Sequence, residues 1–176
     1  PKLAAKAKAK EYTDEASLYD FDTIREHKGL NVWHNNDAQI KPREEQQWNE
    51  VNKNRHYSAV YHVNSQKVAQ LSTPNMPEVA LNPQRDISLL GSSNIPYLEK
   101  IMYGGFFADY FAVNIHTGKQ TPIISNYPFR PSLAPNGEFA ANFSDSQIQL
   151  KDLKNNKVTP HTKAIQATFA DDKHDN

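Results

Sequence analysis

The chain contains no cysteine, which excludes a disulfide framework and every thiolate zinc site while assigning no compartment. It carries no excess charge either. Its 20 Lys plus Arg balance 20 Asp plus Glu, so no large field steers it toward nucleic acid or an anionic membrane. No apolar run reaches the ~18 residues that a membrane-crossing helix needs. Basic and aromatic residues do not interleave as in nucleic-acid binders, and the seven histidines fall at no metal-ligand spacing. No cofactor or metal is therefore expected. Apolar residues are also scarce, at 38% with a mean hydropathy of −0.78. Either the fold has many solvated edges and loops, or some of its packing partners lie outside this sequence.

What is present begins with PKLAAKAKAK at residues 1–10, which lacks the continuous apolar stretch of a signal peptide. The start at Pro1, without an initiator Met, points to a processed or excised chain. Residues 1–19 are expected to be a flexible Lys/Ala-rich lead or a short frayed helix. Residues 166–176 read as an acidic tail or linker. Asp171, Asp172 and Asp175 could attract a cation, but the glycine and spaced oxygens of a calcium loop are missing.

Between these ends the pattern is mostly that of short strands. Asp20–Ile24 and Gly29–His34 are candidate strands. Pro42–Arg55 is the one helical candidate, with Pro42 in the first turn, Glu44 and Glu45 near the positive end and Lys53 and Arg55 near the negative end. Its apolar content is Trp48 and Val51, a narrow stripe to bury. From Tyr57 the period becomes two, with Tyr57, Ala59, Tyr61 and Val63 alternating with Ser58, Val60, His62 and Asn64. Further strands are expected at Glu78–Leu81, Ile87–Leu90, Ala108–Ile115, Gln120–Ile124, Glu138–Phe143, Ile148–Leu153 and Lys157–Pro160, separated by turn-formers.

Internal repetition sharpens the fold class. His62–Val68, Asn114–Gln120 and Asp152–Val158 align as strand end, tight turn, Lys and second strand. Val79–Arg85 aligns in the same way with Pro131–Gly137. Lys67 and Lys119 lie 52 residues apart, and Lys119 and Lys157 lie 38 apart. A period of about 40–50 residues built from four strands suits a propeller blade, a sheet that cannot cover both faces alone. The expected fold is all-β: a partial β-propeller of about three four-stranded antiparallel blades over residues 20–165, with one short helical segment. One blade would run from Pro128 to Thr162 and another from Met76 to Ser125, with Tyr57–Leu71 supplying outer strands before them. The longer spacing leaves room for an insertion at Asn94–Gly105. A two-sheet sandwich that mimics the periodicity is a third, weaker reading.

The run Val32-Trp33-His34-Asn35-Asn36-Asp37-Ala38-Gln39-Ile40-Lys41-Pro42 resembles a stretch in the N-terminal β-propeller of prolyl oligopeptidase family (dipeptidyl-peptidase-like) serine peptidases. The resemblance continues through Arg55–His62, Met76–Pro83, Asp109–Lys119 and Ser132–Phe139. Two turns depart from the family pattern. Gln84 and Arg85 stand where a Gly usually follows Asn82-Pro83, and Gln66 replaces the Gly of the Thr-Gly-Lys turn. The resemblance implies a separate α/β-hydrolase domain carrying a Ser-Asp-His triad, with peptide substrates reaching it through the intact parent. It also favours a periplasmic or secreted parent.

No glycine pair in this chain brackets a serine as Gly-x-Ser-x-Gly, so no nucleophile elbow and no catalytic residue are expected here. Glu44-Glu45 superficially resembles an amino-terminus anchor but reads better as a solvated first helical turn. Trp33, Asp37, Tyr97 and Tyr103 are the candidate ligand or domain contacts, although aromatics in propellers more often pack between blades. Neither nucleic acid nor membrane is an expected partner. The expected role is non-catalytic, gating peptide access to a hydrolase active site outside this chain. The alternative is a free-standing propeller-like module binding protein or glycan.

Overall fold

A computed structural model describes residues 15–16, 19, 34, 36–83 and 87–165. The expected strand Asp20–Ile24 lies outside them, as does Gly29–His34 apart from His34. The residue-166–176 tail, most of the residue-1–19 lead and the Gln84-Arg85 turn lie outside them too.

The described chain is mostly β: three antiparallel sheets and one α-helix, with no sheet closed on itself or joined into a ring. Helix α1 (Lys41–Glu50) starts where expected, behind an extended Ile40 and with proline in its first turn. Lys41 and Glu44 form an ion pair at 3.2 Å. The helix ends at Glu50, and a 3-10 turn (Asn52–Asn54) follows. Its stripe is not buried as expected. Trp48 and Val51 are both exposed and no helix residue is buried, because two apolar side chains three apart give too little area to anchor ten residues.

Strands β1 (Ala59–His62) and β2 (Lys67–Gln70) form a hairpin. Strands β3 (Glu78–Ala80), β4 (Ser88–Ser93), β5 (Ala108–Asn114) and β6 (Gln120–Tyr127) form a four-stranded meander. Strands β7 (Ser132–Leu133), β8 (Phe139–Ser144), β9 (Gln147–Asp152) and β10 (Lys157–Pro160) form a second one. The expected third four-stranded unit is two-stranded among the described residues.

The repeat read in the sequence is present in the backbone. Gln66, Gly118 and Asn156 occupy the same place in the three aligned turns, and all three are left-handed, at φ 53°, 70° and 54°. Asn114 Oδ1 accepts the amides of His116 and Thr117, both at 3.0 Å. Asp152 Oδ1 does the same for Lys154 and Asn155, at 2.9 and 3.0 Å. His62, at the third equivalent position, instead reaches the Ile115 carbonyl (3.3 Å) and stacks on His116 with centroids 5.2 Å apart.

Two cores fill the gaps between sheets. Leu71, Met76, Leu89 and Val113, with Val60, Val79, Phe111 and Ile115, pack the hairpin on the middle sheet. Ala112, Ile123, Leu133 and Ala140, with Leu90, Tyr110, Ile124 and Leu153, pack the middle sheet on the last one. Leu89 pairs with Val113 and Leu90 with Ala112, so alternate residues of the same two strands serve opposite faces. The middle sheet is covered on both sides. A two-sheet sandwich gives each sheet one core-facing side, and this arrangement does not fit it.

The repeat also fixes the direction of stacking. Val60 and Ala112 occupy equivalent positions, and each faces the sheet that follows in sequence. Val113 and Lys151 are equivalent, and each faces the sheet that precedes: Val113 through the core, Lys151 by donating to the Ile123 carbonyl at 2.9 Å. At the hairpin, Val60 is therefore covered while Tyr61, one residue on, is 57% exposed.

Tyr127 ties the last two sheets together. Strand β7 pairs only with Ala140 and Ala141, so it stops short of Phe143. The Tyr127 hydroxyl fills that place, donating to the Phe143 carbonyl (2.7 Å) and accepting from the Phe143 amide (2.9 Å).

Candidate functional site

The β8–β9 connection is the two-residue turn Asp145–Ser146, both residues left-handed as a tight hairpin requires. The equivalent β4–β5 connection is the insertion expected at Asn94–Gly105. It forms two 3-10 turns, Ile95–Tyr97 and Lys100–Met102. Long connections on a rigid sheet are frequent carriers of function.

The insertion is held by a polar network rooted in the sheet. The Tyr97 hydroxyl donates to Asp109 Oδ1 at 2.5 Å, and the Asn126 amide donates to the same oxygen at 3.0 Å. Lys100 Nζ donates to Asn126 Oδ1 at 2.8 Å. It also lies over the rings of Tyr97 (5.3 Å) and Phe107 (5.1 Å). Asn126 has φ 51°, and the β5–β6 register shifts between Ala108 and Phe111. That bulge brings Asp109 and Asn126 together. The hydrogen bond to the Asp109 carboxylate, followed by burial and the nearby negative charge, raises the Tyr97 pKa above the ordinary phenol value.

The network leaves two rings free. Tyr103 is 86% exposed and Phe106 is also exposed, flanking Gly104 and Gly105. Beside the insertion, Trp48, Val51, Arg55, Tyr57, Ile95 and Leu98 line part of a groove of about 370 Å³. Arg55 crosses toward the sheet and pairs with Glu78 at 3.2 Å.

The residues singled out in the sequence separate. Tyr97 and Tyr103 share the insertion, Tyr97 as an internal strut and Tyr103 as an exposed tip. Asp37 closes its own turn, with Oδ2 accepting the His34 amide at 2.7 Å. No hydrogen bond or ring contact among the described residues links it to the insertion. Trp33 lies outside the described residues. The sequence reading missed Lys100, Asp109 and Asn126, whose signal is dispersed over 27 positions.

Chemically the site offers aromatic surface beside a fixed lysine and asparagine, an arrangement for contact. Among the described residues no three His, Cys, Asp or Glu side chains are grouped to hold a metal ion, and no helix is long and apolar enough to cross a membrane. No protein-family model, curated protein or solved structure gives a significant match to this chain.

Proposed function

We propose that this chain is a non-catalytic stretch of β-propeller from a serine peptidase of the prolyl oligopeptidase family. Its role in that reading is to gate peptide access to an α/β-hydrolase active site carried on another domain, in a periplasmic or secreted parent. The observation that carries the blade reading is the shared turn. One left-handed position recurs at Gln66, Gly118 and Asn156, and each aligned strand presents equivalent residues to its neighbours in the stack. Two consecutive four-stranded meanders, the first covered on one face by the hairpin and on the other by the second meander, support it further. The peptidase assignment rests on the motif from Val32 to Pro42 and on the ordered stations after it. The exposed tip at Tyr103 and Phe106 is the surface we assign to the domain contact.

A second reading, a free-standing module binding protein or glycan, is favoured by that same tip, where the Tyr103 and Phe106 rings stand exposed to solvent. The intact mass of the native polypeptide discriminates between the two. A mass several times 20.0 kDa, with a serine reactive to a fluorophosphonate, is the result expected for the peptidase. A native mass near that of this chain refutes the peptidase reading and leaves the binding module.

A further inference from the structure

We infer that the two open ends of this sheet stack are complementary and bind each other between copies of the chain, head to tail. At one end, Tyr61 pairs with Val68 across the hairpin, and the two are 57% and 67% exposed. They occupy the positions of the pair Val113 and Gln120 in the middle sheet and of the pair Lys151 and Val158 in the last sheet, where Val113 and Lys151 meet the sheet before them. No preceding sheet is present among the described residues. At the other end, Leu150 is equivalent to Ala112 and Ile148 to Tyr110, which meet the sheet that follows. Ala141 pairs with Leu150 and Phe143 with Ile148 on that outer face. Neither core cluster includes any of these four residues, and Ile148 is 40% exposed.

Both internal junctions of the chain are made by one such following face meeting one such preceding face. The last sheet thus offers half of that junction and the hairpin of a second copy offers the other half. Continuity with an interface the chain already builds twice selects a second copy as the occupant. The paired positions Ala59 with Gln70 and Tyr61 with Val68 carry no charge. The whole chain has a formal net charge of +0, so no long-range repulsion keeps copies apart. Because the two faces differ, the contact is heterologous and extends or closes a ring instead of stopping at a two-fold dimer. The inference rests on the blade equivalence of the proposed function and is stated of this 176-residue chain, because in a longer propeller the adjoining blades would take the same two faces.

Sedimentation velocity of the 176-residue chain over a rising concentration series, with the single-end variants Tyr61→Asp and Ile148→Asp, tests it. Both changes fall on exposed positions, and circular dichroism checks that each variant folds; Val68→Asp replaces Tyr61→Asp if needed. The wild type is expected to assemble with concentration and each variant alone to remain monomeric. The equimolar mixture is expected to give a dimer that grows no further, since each partner keeps one working end. A wild type monomeric throughout overturns the inference and leaves the peptidase reading standing, because that reading is decided by native mass and serine labelling. Assembly surviving in either single variant, or a mixture that stays monomeric, overturns the head-to-tail pairing.

Discussion

Replacing Tyr127 by Phe removes one oxygen from a side chain only 6% exposed and leaves the ring contacts with Tyr110 and Phe129 in place. What it takes away is the partner of two backbone groups, the amide and the carbonyl of Phe143. A buried polar group left without a partner costs about 1–3 kcal/mol. Two such groups set an upper range of roughly 2–6 kcal/mol on the same scale. The groove lined by Tyr127, Phe129, Ala141 and Phe143 opens beside them, so water can reach part of the vacated space. That places the expected loss near ~2 kcal/mol, at the wet end of the range. In thermal unfolding followed by circular dichroism this is a fall of about 4–8 °C for a chain of this size. Urea unfolding should move its midpoint with an unchanged slope, and exchange of the Phe143 amide should speed up. Tyr103→Phe, at an exposed hydroxyl, should stay within about 0.5 kcal/mol of wild type. A Tyr127→Phe chain as stable as Tyr103→Phe, with its Phe143 amide still protected, would refute the reasoning.

Four further outcomes are expected. Gly118→Ala forces an alanine into a left-handed position and drives its Cβ into the Gln70 carbonyl, so a loss above about 2 kcal/mol in urea unfolding should follow. Gln66→Gly, at the equivalent left-handed position, should gain about 0.5–1 kcal/mol in the same assay. Asp109→Asn removes the carboxylate that raises Tyr97, so ultraviolet titration should show that phenol ionising at lower pH, and proteolysis within residues 94–107 should accelerate. The backbone amide of Asn155, and then its side chain, hold Asp152 below the usual carboxylate range. Its contribution is therefore complete above the unfolded value of about 4 and is lost as pH falls through the lower folded value. Asp152→Ala should lower stability at neutral pH and flatten the acid limb of the stability profile.

The parts legible in the sequence are those written in local chemistry. Asn114, Gly118 and Asp152 act on amides two or three residues away or on their own φ, so an alignment of short segments found the turns. Pro42 and Glu44 marked the helix start, and the interval between Lys67 and Lys119 exposed the insertion. Other parts depend on neighbours distant in sequence. Alternation showed that β1 has two faces, but not that Val60 would be covered and Tyr61 left out, since that depends on which sheet comes next. The Tyr127 clip acts on a backbone group, which has no residue type to read. Asp109 and Asn126 meet only because of a bulge in β5–β6 pairing, and a bulge leaves no fixed mark in composition. At the candidate site, Tyr97 and Tyr103 were found because they stand in the insertion. Their different fates, strut and tip, were set by that bulge.

Covering the middle sheet on both faces has a consequence for the order in which the molecule comes apart. Among the described residues the hairpin and the last sheet each lean on one neighbour, whereas β4 and β5 supply residues to both cores at once. Opening either end uncovers only one of those faces. Opening the centre first would uncover Leu89 and Val113 together with Ala112 and Ile123, so denaturation proceeds inward from the ends. Amides of β4 and β5 are then the last to exchange. No cut at a sheet boundary frees the middle sheet as a stable piece, because every such cut strips one of the two layers that hold it.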